Sequence, residues 1–164
     1  MSDTPLYLGH VNIFVRNAAR ARQWYADVLG LHTQDFVPGR AAFMSANQAE
    51  SHEVALIEAG ENAAGVQQRQ VGLNHMAWKV QSLDDLRGFY QRLQDKQIPL
   101  ERVTDHGISL GIYLRDPDGN GVEVYYELPR SEWYRHDQLF SHGDRPRGLF
   151  PGPWDAQLAR GTTG

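Results

Sequence analysis

Two histidines, a glutamate and a tyrosine-bearing hairpin are the residues of this chain whose types and spacing could do chemistry. His10 lies in "LGHVNIFV" and His75 in "LNHMAWKV", each expected in mid-strand among apolar neighbours. A single histidine in such a place is most often a core residue with its hydrogen bonds satisfied. Two at corresponding points of a repeat would be brought by pseudo-symmetry to related places in one cavity. Glu123, in "GNGVEVYYE", stands between Val122 and Val124. Burying an unpaired carboxylate is costly, so an inward Glu123 needs a cation or a strong set of donors. Two histidines and a carboxylate form the ligand set of the facial triad, which suits iron(II) and leaves three coordination positions open. Manganese(II) has similar ligand preferences. Glu127 lies on the same strand face four residues on, and is the competing ligand if the register differs.

Composition narrows the other chemistries. With no cysteine among 164 residues, disulfides, thiolate zinc sites, iron–sulfur clusters and thiol nucleophiles are excluded. The net charge of −4 offers no basic footprint for nucleic acid or an anionic membrane. No apolar run approaches the roughly 18 residues needed to span a bilayer. The opening "MSDTPLYLGH" lacks the regions of a signal peptide, so a cytoplasmic location is expected.

The elements that must position these residues repeat. A strand at 8–15 is followed by a helix at 17–30, opened by Asn17 and ended by Gly30, and by strands at 31–37, 40–46 and 51–59. After a polar linker at 60–70 the order restarts. A strand at 71–80 precedes a helix at 82–96, whose Ser82 and Asp85 resemble a capping box. Strands at 100–105, 109–115 and 121–127 complete it, with "DPDGNG" as the last turn. A shift of 65 residues superposes His10 on His75, Val15 on Val80, Trp24 on Phe89 and Tyr25 on Tyr90. The prediction is an α+β fold of two βαβββ modules, about 7–60 and 71–128, forming one domain over 1–128. Their curved mixed sheets would enclose a metal-containing cavity. From Pro129 the chain turns rich in Pro, Gly and aromatics, which predicts an extended C-terminal arm over 129–164.

Over residues 7 to 127 the motifs "LGHVNIFV", "LNHMAWKV" and "YLRDPDGNGVEVY", with this module spacing, resemble the vicinal oxygen chelate superfamily of glyoxalases, bleomycin resistance proteins and extradiol dioxygenases. The resemblance implies that His10, His75 and Glu123 hold the metal. Glyoxalase I-type members use a fourth ligand in the last strand of the first module. Aligning "HEVALIE" with "GVEVYYE" puts Ala55 opposite Glu123, which weakens that reading, although Glu53 or Glu58 could return in another register.

One-domain type I extradiol catechol dioxygenases are more similar. On that likeness His52, in "HEVAL", is the acid–base group, and His106 and Tyr113 hold the substrate. The implied activity is iron(II)-dependent ring cleavage of a catechol by O2, with manganese(II) as the alternative metal. A glyoxalase-type lyase, a thiol transferase to an epoxide and a non-catalytic binding protein are the other readings; the last predicts loss of the metal ligands. Each proposed second-sphere residue also has a plain reading: His52 at the surface beside Glu53, His106 in a turn, Tyr113 in the core. His32, His136 and His142 are expected to face solvent. A homo-oligomer, dimer or higher, is expected.

Overall fold

The computed structural model describes residues 7–67, 69–141 and 145–160. The chain divides into two compact units, one of residues 1–68 with Asp116–Gly119, the other of 69–115 with 120–164. The break falls inside the polar linker.

In the first unit β1 (Val11–Val15) leads into α1 (Ala18–Trp24), followed by β2 (His32–Val37), β3 (Ala41–Ser45) and β4 (Val54–Glu58). The sheet order is β1-β4-β3-β2, with β1 parallel to β4 and the other pairs antiparallel. Asn17 starts the helix because its Oδ1 accepts the Arg20 N–H at 2.9 Å, satisfying an N–H with no intrahelical partner. The helix widens into a single π-helical turn over Tyr25–Leu29 and stops at Gly30, whose φ of 77° is left-handed. Ala18, Ala21, Tyr25 and Val28 form its buried face, and the sheet contributes Met44, Val54, Ala55 and Leu56.

The residues of the "DPDG" turn also belong to this unit, and they do more than reverse the chain. Asp116 and Asp118 are both buried. Asp116 accepts from the Tyr25 hydroxyl at 3.2 Å. Asp118 accepts from the Arg16 backbone N–H at 3.2 Å and pairs with Arg16 and Arg20 at 3.1 and 3.5 Å. Burial, followed by the charge of Asp116, raises the Tyr25 phenol well above its ordinary pKa, so it stays a donor.

The second unit repeats the plan. Here β5 (Met76–Lys79), α2 (Leu83–Asp95), β6 (Arg102–Asp105), β7 (Ser109–Arg115) and β8 (Gly121–Glu127) give the sheet order β5-β8-β7-β6. At the start of α2, Ser82 Oγ accepts from the Asp85 N–H and donates to its carboxylate at 2.7 Å, as the capping pattern predicts. Leu86, Phe89, Tyr90 and Leu93 form one buried stripe along the helix.

After β8 the chain runs through a short 3-10 turn (Arg130–Glu132) to α3 (Asp155–Arg160). Phe150 and Trp154 are 2% and 0% exposed. Trp154 Nε1–H donates to the Phe150 carbonyl at 2.7 Å, and its ring meets Tyr90 edge-on at 5.8 Å. Among the described residues no helix is long and apolar enough to cross a membrane.

Candidate active site

The expected mid-strand placement of His10 and His75 is not what the backbone adopts. Both stand one residue before the first paired residue of their strands, Val11 and Met76. In the second sheet the register puts His75 beside Gly121. A Cβ at Gly121 would lie 2.3 Å from the Asn74 carbonyl oxygen and 3.0 Å from His75 Cα. The missing side chain is what lets the backbone of His75 come so close.

In the second unit a pocket of about 350 Å³ opens above β5, β8 and β7, and His75, His106, Tyr113 and Glu123 line it together. His75 Nε2 lies 3.0 Å from Glu123 Oε2. Its other nitrogen, Nδ1, lies 2.6 Å from Asn74 Oδ1, an acceptor that takes the ring N–H. Nε2 of a neutral ring so held is a bare lone pair facing a carboxylate oxygen. Two acceptors in contact need a positive charge between them, from a second ring proton or a metal cation.

Glu123 is 8% exposed and has a place made for it. A Cβ on Gly111 would sit 2.2 Å from Glu123 Oε1 and 3.0 Å from Tyr113 Cε2, so only glycine leaves room for the carboxylate over β7. A lone glycine inside "ISLGIYL" was the available sequence signal.

Tyr113 faces Glu123 directly across the β7–β8 ladder. Its phenol interacts with the Glu123 carboxylate. The phenol oxygen is 3.0 Å from His106 Nε2. The two share a hydrogen bond whose direction is set by the His106 tautomer. Burial first, then the bond to Glu123 and its charge, push the Tyr113 pKa well up. The Arg102 guanidinium lies 3.9 Å over the Tyr113 ring and fixes its other face.

Burial is also the largest influence on His106 and lowers its pKa; the cations Arg145 and Arg102 add to this, against Glu123 and Asp105. The neutral ring is therefore the folded form, and the unfolded chain takes the proton first. Stability from this group is present above the ordinary value of 6.5 and is lost as pH falls through it. We predict that wild type loses more stability than His106→Gln when urea unfolding is moved from about pH 7.5 to about pH 5. Equal losses would show that the buried ring carries no linkage.

In the first unit the structure brings His10 and His52 together. Their rings stand 4.4 Å apart, tilted by 39°, and His52 also meets Phe43 edge-on at 5.4 Å. Ser51 Oγ is 3.1 Å from His52 Nδ1, and among the described residues no hydrogen bond engages Nε2. The structure thus gathers one pair of histidines in the first unit, and His75, His106, Tyr113 and Glu123 in the second. Among the described residues no three His, Asp or Glu side chains form a ready-made metal cluster.

The register left open between Ala55 and its acidic neighbours is decided by the ladders. Asn12 pairs with Ala55 in the first sheet, and Ala77 pairs with Glu123 in the second. Ala55 therefore holds the position equivalent to Glu123, and it is fully buried. Glu58 accepts from the Ala18 N–H at 2.9 Å. Glu53 accepts from Ser45 Oγ at 2.8 Å and from the Ala46 and Asn47 N–H groups. Burial of Glu53 works against its charge, but these donors outweigh it and hold the pKa below the ordinary range. Glu127 is paired with Lys79 at 2.8 Å. His32 is exposed beside Gln48, and His136 packs near Trp133. His142 lies outside the described residues.

Comparison with known proteins agrees with this architecture. The chain is 37% identical over 127 residues to biphenyl-2,3-diol 1,2-dioxygenase 3 of Rhodococcus globerulus, covering 76% of this chain and 64% of that protein. It is 32% identical over 131 residues to catechol-2,3-dioxygenase of Bacillus subtilis (strain 168), covering 79% and 44%. It therefore spans less than two thirds of these relatives. The crystal structure of lactoylglutathione lyase from Agrobacterium tumefaciens shares the fold, with a TM-score of 0.61 at 22% identity over 76% of this chain and 96% of that one. Residues 7–124 match the Glyoxalase/Bleomycin resistance protein/Dioxygenase superfamily. With its two βαβββ sheets and these relatives, the chain belongs to that superfamily.

Proposed function

We propose that this protein is an extradiol dioxygenase that opens the ring of a catechol with O2, using a divalent metal held by His10, His75 and Glu123. The observation that carries the reading is the His75–Glu123 contact, an imidazole nitrogen against a buried carboxylate oxygen at 3.0 Å. That donor set suits a borderline divalent cation such as iron(II). Manganese(II) is the alternative; a dioxygenase of Geobacillus genomosp. 3, 23% identical over 149 residues, is manganese-dependent. A metal bound there supplies the electronic route from an electron-rich ring to O2.

The chain's own residues account for the remaining work. Asn74 fixes the tautomer of His75 and keeps Nε2 available. Tyr113, held from above by Arg102 and at its oxygen by His106, is a rigid hydrogen-bonding post beside the carboxylate. In this reading Tyr113 and His106 orient a catechol oxygen, which is a positioning role. His52 takes the catechol proton at Nε2 and returns it as the ring opens to a muconic semialdehyde-type product. A histidine suits this because its ordinary pKa lies near working pH. The glyoxalase-type alternative lacks its fourth ligand here, since Ala55 stands where that ligand is required and Glu53 and Glu58 are engaged elsewhere.

The test is anaerobic reconstitution with iron(II), or in parallel manganese(II), followed by catechols and oxygen. Oxygen uptake with a yellow ring-fission product is expected. No turnover of any catechol, with activity on a thiohemiacetal instead, would overturn the proposal. A sharper prediction comes from Gly111. In Gly111→Ala the atom that must yield is the end of a flexible glutamate side chain, so the fold will hold to within about 1 kcal/mol. The carboxylate will be displaced, and metal affinity measured by chelator competition will fall by roughly 10- to 100-fold. Unchanged affinity would mean that Glu123 does not need its seat over β7.

A further inference from the structure

The C-terminal arm contributes one side chain to the pocket of the second unit. Phe140 lines it, with its ring centroid 6.0 Å from that of His106 and the planes at 77°. It remains 60% exposed, a large apolar group turned toward open space at the mouth. That placement is built. The Tyr134 hydroxyl donates to the Leu139 carbonyl at 3.1 Å, and Arg145 donates to the carbonyl of Phe140 itself. Arg147 donates to the Asp105 carbonyl at 2.7 Å.

The arm also lies close on the turn that carries His106. Gly107 has a φ of +84°, and a Cβ there would come within 3.0 Å of Arg145 Cβ and 3.2 Å of Tyr134 Cε1. Downstream, buried Phe150 and Trp154 tie the arm to the body. Hydrogen bonds from Tyr134 and Arg145 thus hold the backbone beside Phe140, whose ring stays largely exposed.

The lining of the pocket points the same way. Two carboxylates line it, Glu123 against His75 and Glu127 paired with Lys79. An ionised substituent would have to shed water against the apolar Phe140 ring, whereas an apolar one would cover it.

We propose that Phe140 is a specificity-determining residue that contacts the ring substituent of the substrate and selects neutral, apolar-substituted catechols over carboxylate-bearing ones. This inference rests on the dioxygenase reading above. It deepens that reading by naming the residue that chooses the substrate and the part of the chain that supplies it.

The test compares wild type and Phe140→Ala in the full-length, metal-loaded protein. Three substrates serve: catechol, a neutral aryl-substituted catechol and a carboxylate-bearing catechol. Each is followed by oxygen uptake and, without oxygen, by calorimetric binding titration. Wild type should favour the aryl-substituted substrate. In Phe140→Ala the ratio of its kcat/KM to that of catechol should fall roughly tenfold or more, mainly through KM. Its binding should weaken by a similar factor. An unchanged ratio and unchanged binding, or a wild-type preference for the carboxylate-bearing catechol, would overturn the assignment while leaving the dioxygenase reading intact. Absence of turnover on all three by wild type would defeat that reading instead. The binding titration would then still decide whether Phe140 touches an apolar ring substituent. Because Phe140 is exposed, circular dichroism of the variant should match wild type, which separates lost contact from lost fold.

Discussion

Glu123→Gln will abolish stoichiometric iron(II) binding while leaving the protein folded. The substitution keeps the shape that Gly111 accommodates, removing only the charge and one acceptor oxygen. In the folded chain that oxygen faces His75 Nε2 at 3.0 Å. A neutral amide facing the ring cannot supply the anionic oxygen that, with two imidazoles, matches a divalent metal. The side chain is 8% exposed, so the change also removes the cost of burying a charge. The metal-free variant should therefore unfold in urea at a denaturant concentration equal to or above that of metal-free wild type.

Glu127→Gln is the matched control. Glu127 lines the same pocket but is committed to Lys79 at 2.8 Å, so its variant should keep a full equivalent of metal. Anaerobic equilibration with iron(II), then release into a chromogenic chelator, measures both. If Glu123→Gln binds iron as wild type does and Glu127→Gln does not, the ligand has been assigned to the wrong carboxylate.

His52→Ala should separate binding from turnover in the opposite sense. We expect iron to be retained within a few-fold, and kcat to fall by about 10²- to 10⁴-fold, the usual contribution of a positioned acid–base group. His52 is placed for such a role by its neighbours. Ser51 Oγ engages Nδ1, and the His10 ring stands 4.4 Å away, so His52 lies beside a proposed metal ligand without being one. The measurement is iron content together with steady-state oxygen uptake across about pH 6 to 9. A His52→Ala protein that holds iron and turns over at the wild-type rate would remove His52 from the mechanism. One that loses iron would make it a ligand or a support for His10.

Both predictions depend on assignments that differ in how local their causes are. The paired modules were legible because their causes lie within short segments. Asn17 and Ser82 cap helices through residues three positions on, and Gly30 ends a helix through its own φ. The alignment of Ala55 with Glu123 was legible too, because strand pattern and turn spacing set the parallel ladders. Those same segments placed His10 and His75 at matched points, though not in mid-strand. Their ladders begin one residue later, and in the second sheet Gly121 shapes the backbone beside His75.

What only the tertiary structure decided are choices made by residues distant in sequence. Glu123 and Glu127 share a strand face and have the same chemistry, so nothing local separates them. Lys79, 48 residues from Glu127, takes one, while the gap over Gly111 receives the other. The "DPDG" turn reads as a simple reversal, yet its aspartates are held by Arg16, Arg20 and Tyr25, about a hundred residues upstream. Likewise, no periodicity in the arm announces that Phe140 reaches the pocket. Its position follows from hydrogen bonds to loop carbonyls and from the burial of Phe150 and Trp154. By itself the sequence determined two βαβββ modules and the residue types at their strand ends, because capping, alternation and turn chemistry act over a few residues. Which carboxylate is free, which tyrosine is held and which aromatic lines the pocket were decided by tertiary structure, because cross-strand pairing and packing depend on partners that adjacent sequence does not specify.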